Sequence, residues 1–110
     1  MDRKKQLESE LERVTKLIVK EYNPWKIILF GSLAGGRIHE WSDIDLAIIK
    51  DTPERFIDRI GRVLEVSHPQ ISTNIVVYTP EEVKSMEATK HYFWTNEILN
   101  KGKTIYDSSG

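Results

Sequence analysis

The chain has 110 residues, of which 39% are apolar and 30% charged, with a formal net charge of -1 and no cysteine. This length suits one domain with one core, and the near-neutral charge argues against a broad nucleic-acid-binding surface. Disulfides and thiol chemistry are excluded; no apolar run approaches the roughly 20 residues of a membrane span, and no signal-type apolar segment follows the charged start at Met1 to Lys5, so a cytoplasmic protein without membrane association is expected.

Residues 3–22 read as an amphipathic helix. Leu7, Leu11, Val14, Leu17 and Ile18 recur at helical spacing, with Glu8, Glu12 and Lys16 on the other face. Mixed charge on that face favours packing against a sheet over lying on an anionic membrane. Asn23-Pro24 ends the helix. Lys26 to Phe30 reads as the first strand, Gly31-Ser32 as its sharp exit, and Leu33 to about Arg37 as a short helix or turn. Ile38 to Trp41 is a loop, and Ile44 to Ile49 the second strand. Thr52-Pro53-Glu54 then reads as a helix start, with Thr52 as N-cap and Pro53 in the first position. That helix runs to about Val66 on Phe56, Ile57, Ile60, Val63 and Leu64. After a loop over 67–72, Thr73 to Tyr78 is the third strand.

Thr79-Pro80-Glu81-Glu82 repeats the helix-start pattern and adds a capping box between Thr79 and Glu82. The helix it opens extends to roughly Asn100, bent near Ala88-Thr89, before Gly102 and a short edge strand at Thr104 to Tyr106. Asp107 to Gly110 reads as a frayed tail. Alternating strands and helices imply an α/β fold with a small mixed sheet. The expected organisation is a single domain over 1–110: an N-terminal helix at about 3–22, a core at about 25–106 and the tail.

The chemistry concentrates between the first two strands. Asp43 and Asp45 lie two apart, so on a strand both carboxylates point the same way, while Ile44 and Leu46 turn to the core. Side-by-side like charges are unfavourable, and a divalent cation removes the conflict. Mg²⁺ takes one or two protein carboxylates and completes its shell with water and phosphates. Gly31 and Ser32, at the strand exit, offer backbone N–H groups to a phosphate, and glycine permits close approach. A nucleoside triphosphate held by phosphate at the turn and by metal at the aspartates fits this layout. Ser42 is a candidate for the same shell, although capping is the commoner role for serine. His39 and Trp41 are candidate contacts to a base, with loop packing the commoner alternative. His39, His68 and His91 show no zinc spacing, and no Walker-type Gly-Lys-Ser/Thr is present.

Gly31-Ser32, ten residues, then Asp43-Ile44-Asp45, set between two apolar runs, resembles the signature of the DNA polymerase beta-type nucleotidyltransferase superfamily. The form Gly-Ser-x-Ala-x-Gly…Ser-Asp-Ile-Asp-Leu is similar to that of its minimal nucleotidyltransferases, over about Trp25 to Tyr106. The resemblance implies a small mixed sheet with helices mainly on one face and the metal site on the other. It implies transfer of a nucleoside monophosphate, AMP being the expected group, from ATP or another NTP to a hydroxyl on a protein or other acceptor. Asp43 and Asp45 would be the catalytic metal ligands for Mg²⁺ or Mn²⁺, with Gly31, Ser32 and Ser42 on the nucleotide phosphates. Stand-alone members commonly pair with a HEPN-domain protein as the antitoxin of a toxin–antitoxin module.

Two departures stand against that pattern. The family's third carboxylate, on the strand before Thr-Pro-Glu-Glu, is replaced here by Asn74, which carries no charge and cannot act as a general base. Asp51 and Asp58 are candidate substitutes. The arginines common in the Gly-Ser segment are Leu33 and Gly35 here, leaving Arg37 and Lys50 as the nearest cations. A second reading follows: a catalytically weak or inactive nucleotide-binding antitoxin that acts by partner contact. His91-Tyr92-Phe93-Trp94 supplies rings of which about half fit a core, leaving a patch for a partner. An aminoglycoside-modifying type of enzyme is less expected, because no residues are spare to enclose such an acceptor. A homo-oligomer is compatible with the sequence.

Overall fold

A computed structural model describes residues 2–110. Four short segments form its sheet: β1 (Lys26–Phe30), β2 (Ile44–Ile49), β3 (Thr73–Tyr78) and β4 (Lys103–Asp107), in the order β3-β2-β1-β4. β1 runs antiparallel to both β2 and β4, while β2 and β3 are parallel. The sheet is therefore mixed and the fold α/β. The parallel step needs a crossover, which α3 (Phe56–Ser67) supplies.

The period-two alternation of the strands divides the core. Ile27, Leu29, Ile44, Leu46, Ile48, Ile75 and Val77 face one way and pack on α1 (Arg3–Tyr22) through Leu7, Val14 and Ile18, and on α3 through Val63. Ile28, Ala47 and Ile49 face the other way. They meet Trp94 and Ile98 of α5 (Phe93–Asn100), flanked by Val83 and Met86 of α4 (Pro80–Ala88). The long helices thus cover one face, and the two C-terminal helices cover part of the second. Edge-on ring contacts lock α5 to the sheet: Phe30 to Phe93 at 5.6 Å and Tyr78 to Trp94 at 5.8 Å between centroids.

Local differences from the sequence reading have identifiable causes. The third helix starts at Phe56 instead of Pro53, with Arg55 at the N-cap in place of Thr52. The Thr52 hydroxyl accepts from Glu54 N at 3.2 Å, closing a turn, while Arg59 Nε donates to the Glu54 carbonyl at 2.8 Å and holds that segment outside the helix. The single bent helix expected to Asn100 is two helices. Thr89 Oγ1 donates to the Ser85 carbonyl at 3.0 Å, and Lys90 adopts a left-handed φ of 54°. The second piece, α5, is wound as a π-helix. The tail is tied down: Ser108 N donates to the Trp25 carbonyl at 2.9 Å, and Asp107 accepts from both the N–H and the hydroxyl of Ser109.

Candidate functional site

Register brings the candidate residues together. In the antiparallel pair, Phe30 lies opposite Asp45, so Gly31 follows directly beside that carboxylate. In the parallel pair, Asn74 lies opposite Asp45 from the other side. Asp45 therefore sits between the exit of β1 and the start of β3. Its side chain is on the same face as Ala47 and Ile49, beyond the part that α5 covers. Asp43 precedes β2 by one residue and is, like Asp45, partly exposed.

Gly31 opens α2 (Gly31–Gly35) at φ +77°, and a Cβ added there would run into the Asp45 carboxylate. The backbone and the acid occupy space that only glycine leaves free. Across the site, Asn74 Nδ2 donates to Asp45 Oδ1 at 2.8 Å. The amide thus occupies the place from which the resemblance would bring a third carboxylate. Among the described residues, no lysine, arginine or histidine forms an ion pair with Asp43 or Asp45, and no group of three acidic or histidine ligands occurs. Two carboxylates without a countercharge, an amide oxygen within a rotation of the Asn74 side chain, and an adjoining groove fit the ligand needs of Mg²⁺ together with phosphate oxygens.

Ser42 directly precedes Asp43. It is 2% exposed, and its hydroxyl accepts from His39 N at 2.9 Å while its own N–H returns to the His39 carbonyl at 3.0 Å. Arg3 Nη2 donates to the Ser42 carbonyl at 2.8 Å. Ser42 closes the loop that leads into Asp43, and its hydroxyl is engaged there. Trp41 is 78% exposed on this pinned loop, and its N–H donates to His39 Nδ1 at 3.2 Å.

The candidate substitutes for a third acid lie elsewhere. Asp51 follows the far end of β2, and Asp58 is on α3, bound to Arg55 Nε at 3.0 Å. Lys50, one of the two candidate phosphate cations, is also at that far end, with Nζ on the Asn23 carbonyl and over the Tyr22 ring. Arg37 does reach the site. It lines a groove of about 550 Å³ with Gly31, Ser32, Gly35, Glu97 and Lys101. Sequence reasoning missed Lys101, since it searched for cations near Gly31 along the chain and this one arrives from the C-terminal end of α5. The last helix divides its rings: Trp94 is 1% exposed and Phe93 half-buried, whereas His91 and Tyr92 are exposed.

A family model described as "Polymerase beta, Nucleotidyltransferase" matches residues 12–110. A search of curated proteins gives no match. Among solved structures, one described as "Crystal structure of the toxin-antitoxin with AMP-PNP" has a TM-score of 0.52 and 19% sequence identity, covering 88% of this chain and 73% of that one; at that identity the likeness concerns the fold. The Gly31 turn against Asp45, the mixed sheet and the match over nearly the whole chain lead to one conclusion: the chain belongs to the polymerase beta nucleotidyltransferase family.

Proposed function

We propose that this protein is a minimal nucleotidyltransferase that transfers a nucleoside monophosphate, AMP in the first instance, from Mg²⁺-bound NTP to a hydroxyl of a partner protein, as the antitoxin of a toxin–antitoxin pair. The observation that carries the reading is Asp45, pressed against Gly31 and two residues from Asp43, with neither carboxylate in an ion pair among the described residues. Asp43 and Asp45 would hold Mg²⁺, or Mn²⁺ in its place, which when bound supplies charge neutralisation at the phosphates. Gly31 and Ser32 would bind the phosphates through N–H and hydroxyl donors. In the reaction the acceptor hydroxyl would lose its proton to solvent or to the departing pyrophosphate, its oxygen would bond to the α-phosphorus, and the bond from the α-phosphorus to the bridging oxygen would break as pyrophosphate leaves. The site's contribution is alignment and electrostatics. The similar solved structure, a toxin-antitoxin with AMP-PNP, supports a nucleotide ligand and a toxin partner. The partner proposed is a HEPN-domain protein, with the exposed His91 and Tyr92 a candidate part of the contact.

Asn74 favours a second reading. Its amide faces Asp45 and cannot accept the proton of the attacking hydroxyl. Nucleotide binding would then survive while transfer is weak or absent, and neutralisation would come from contact. Transfer from labelled ATP with Mg²⁺ to a HEPN-domain protein separates the two. If wild type labels the partner and the Asp43→Ala, Asp45→Ala double variant does not, the enzyme reading stands. If wild type is silent and Asn74→Asp labels, the site is competent but lacks its base. If all are silent while the partner still binds tightly, the contact reading replaces it.

A further inference from the structure

The groove beside Gly31 and Ser32 has donors from two distant parts of the chain: Arg37, just past α2, and Lys101, just past α5. The position of Lys101 is fixed by its neighbour. A Cβ added to Gly102 would collide with the Ile98 carbonyl and crowd the Ile28 side chain and the Leu29 carbonyl. The backbone after α5 is therefore pressed onto β1, the strand that ends just before Gly31. A π-type bond from Lys101 N to the Asn96 carbonyl at 3.2 Å and an α-type bond from Gly102 N to the Ile98 carbonyl at 3.0 Å complete this anchoring. π turns recur at functional sites.

The lining is rich in donors: two cations, the Ser32 hydroxyl and the backbone at Gly31. Its acceptor side chain is Glu97, and Lys101 Nζ rests on it at 3.2 Å. Lys101 is 67% exposed, and such a surface pair is weak and exchangeable. A ligand with several anionic oxygens offers that ammonium a stronger partner. A volume of about 550 Å³ is that of a ligand groove. Resting on the nucleotide-site reading above, we propose that Arg37 and Lys101 form a clamp for a polyphosphate chain, with Lys101 leaving Glu97 to make the contact. The clamp takes over the work of the cations absent at Leu33 and Gly35.

Calorimetric titration with two probes, inorganic tripolyphosphate and Mg²⁺-ATP, tests this on the full chain. The variants are Lys101→Met, Lys101→Arg, Arg37→Met and Glu97→Gln, with matched thermal melting as the check on folding. Lys101→Met and Arg37→Met each weaken both probes about tenfold, the scale of one hydrogen bond to a charged group. Lys101→Arg stays within about threefold of wild type, and Glu97→Gln binds both probes more tightly because it frees Lys101. A purely structural Lys101–Glu97 pair predicts the opposite for Glu97→Gln, and weakening there overturns the clamp. So does ATP binding that is unchanged in Lys101→Met, while the nucleotide reading stands. Wild type that binds tripolyphosphate but not ATP keeps the clamp and removes the nucleotide reading; wild type that binds neither removes both.

Discussion

Gly31 answers two demands at once. Its φ of +77° lies where L side chains are strained, and its missing Cβ leaves room for the Asp45 carboxylate. Gly31→Ala meets both penalties. It should lower stability by about 1–3 kcal/mol, the usual cost of a strained backbone position, measured by urea unfolding. It should also abolish Mg²⁺-dependent ATP binding, because the carboxylate must move. The Gly-Ser and Asp-x-Asp motifs were legible in the sequence, and the face of Asp45 followed from strand alternation, which is local; Asp43, expected on the same strand, lies one residue before it. The partners of Asp45 were not, because they depend on which strands become neighbours. Asn74 was located by the Thr-Pro-Glu-Glu that follows it, and the parallel register then sets it opposite Asp45. Ser42 was a candidate both for the site and for a backbone hydrogen bond, and its hydroxyl accepts one from His39 N.

Two Thr-Pro-Glu stretches looked alike as helix starts, and only one behaves as such. Thr79 has Glu82 three residues on, and both halves of the capping box form: Glu82 N to Thr79 Oγ1 at 3.2 Å and Thr79 N to Glu82 Oε1 at 2.9 Å. Thr52 has Arg55 in that position, so the reciprocal bond has no acceptor and the helix begins three residues later. Thr79→Ala should cost about 1 kcal/mol, the usual loss of an N-cap. Thr52→Ala should stay within about 0.5 kcal/mol of wild type, as a turn substitution outside a helix. Guanidinium unfolding of the two variants side by side checks the contrast. The break between α4 and α5 was half legible. Thr89 marked the place, but the left-handed Lys90 and the π winding leave no trace in apolar spacing, since Trp94 and Ile98 suit an ordinary helix equally well.

Across the whole molecule, one acidic residue joins parts far apart in sequence. Glu10 of α1 is 7% exposed and accepts from the Gln70 and Ile71 N–H groups and from Arg13. Arg13 in turn donates to the carbonyls of Ser67 and His68. The Arg13 bond, helped by the two backbone donors and opposed by burial, holds the Glu10 carboxyl below its usual range. Its proton affinity is therefore lower in the folded chain than in the unfolded one. The stability it lends is complete above the ordinary carboxylate range, about pH 4–5, and is lost as pH falls through the depressed folded value. Glu10→Gln should be less stable at pH 7 by about 2 kcal/mol, the scale of hydrogen bonds to a charged group. Its melting temperature should also change less between pH 6 and pH 3 than that of wild type, as followed by thermal denaturation across that range. The apolar pattern of α1 predicted its packing on the sheet but gave no sign of this link, which depends on a loop 60 residues away.

The position of β1 also sets an order in time. It is an inner strand, yet one of its neighbours is β4, more than 70 residues later. During synthesis, Lys26 to Phe30 can pair with β2 early, but its other edge waits until β4 emerges. An apolar strand with an open edge is a template for pairing with other chains. The weakest moment of this fold is therefore the interval before β4 joins the sheet. Whatever delays β4, whether slow synthesis or loss of the Gly102 turn, should act through aggregation of nascent chains before it acts through the stability of the finished fold.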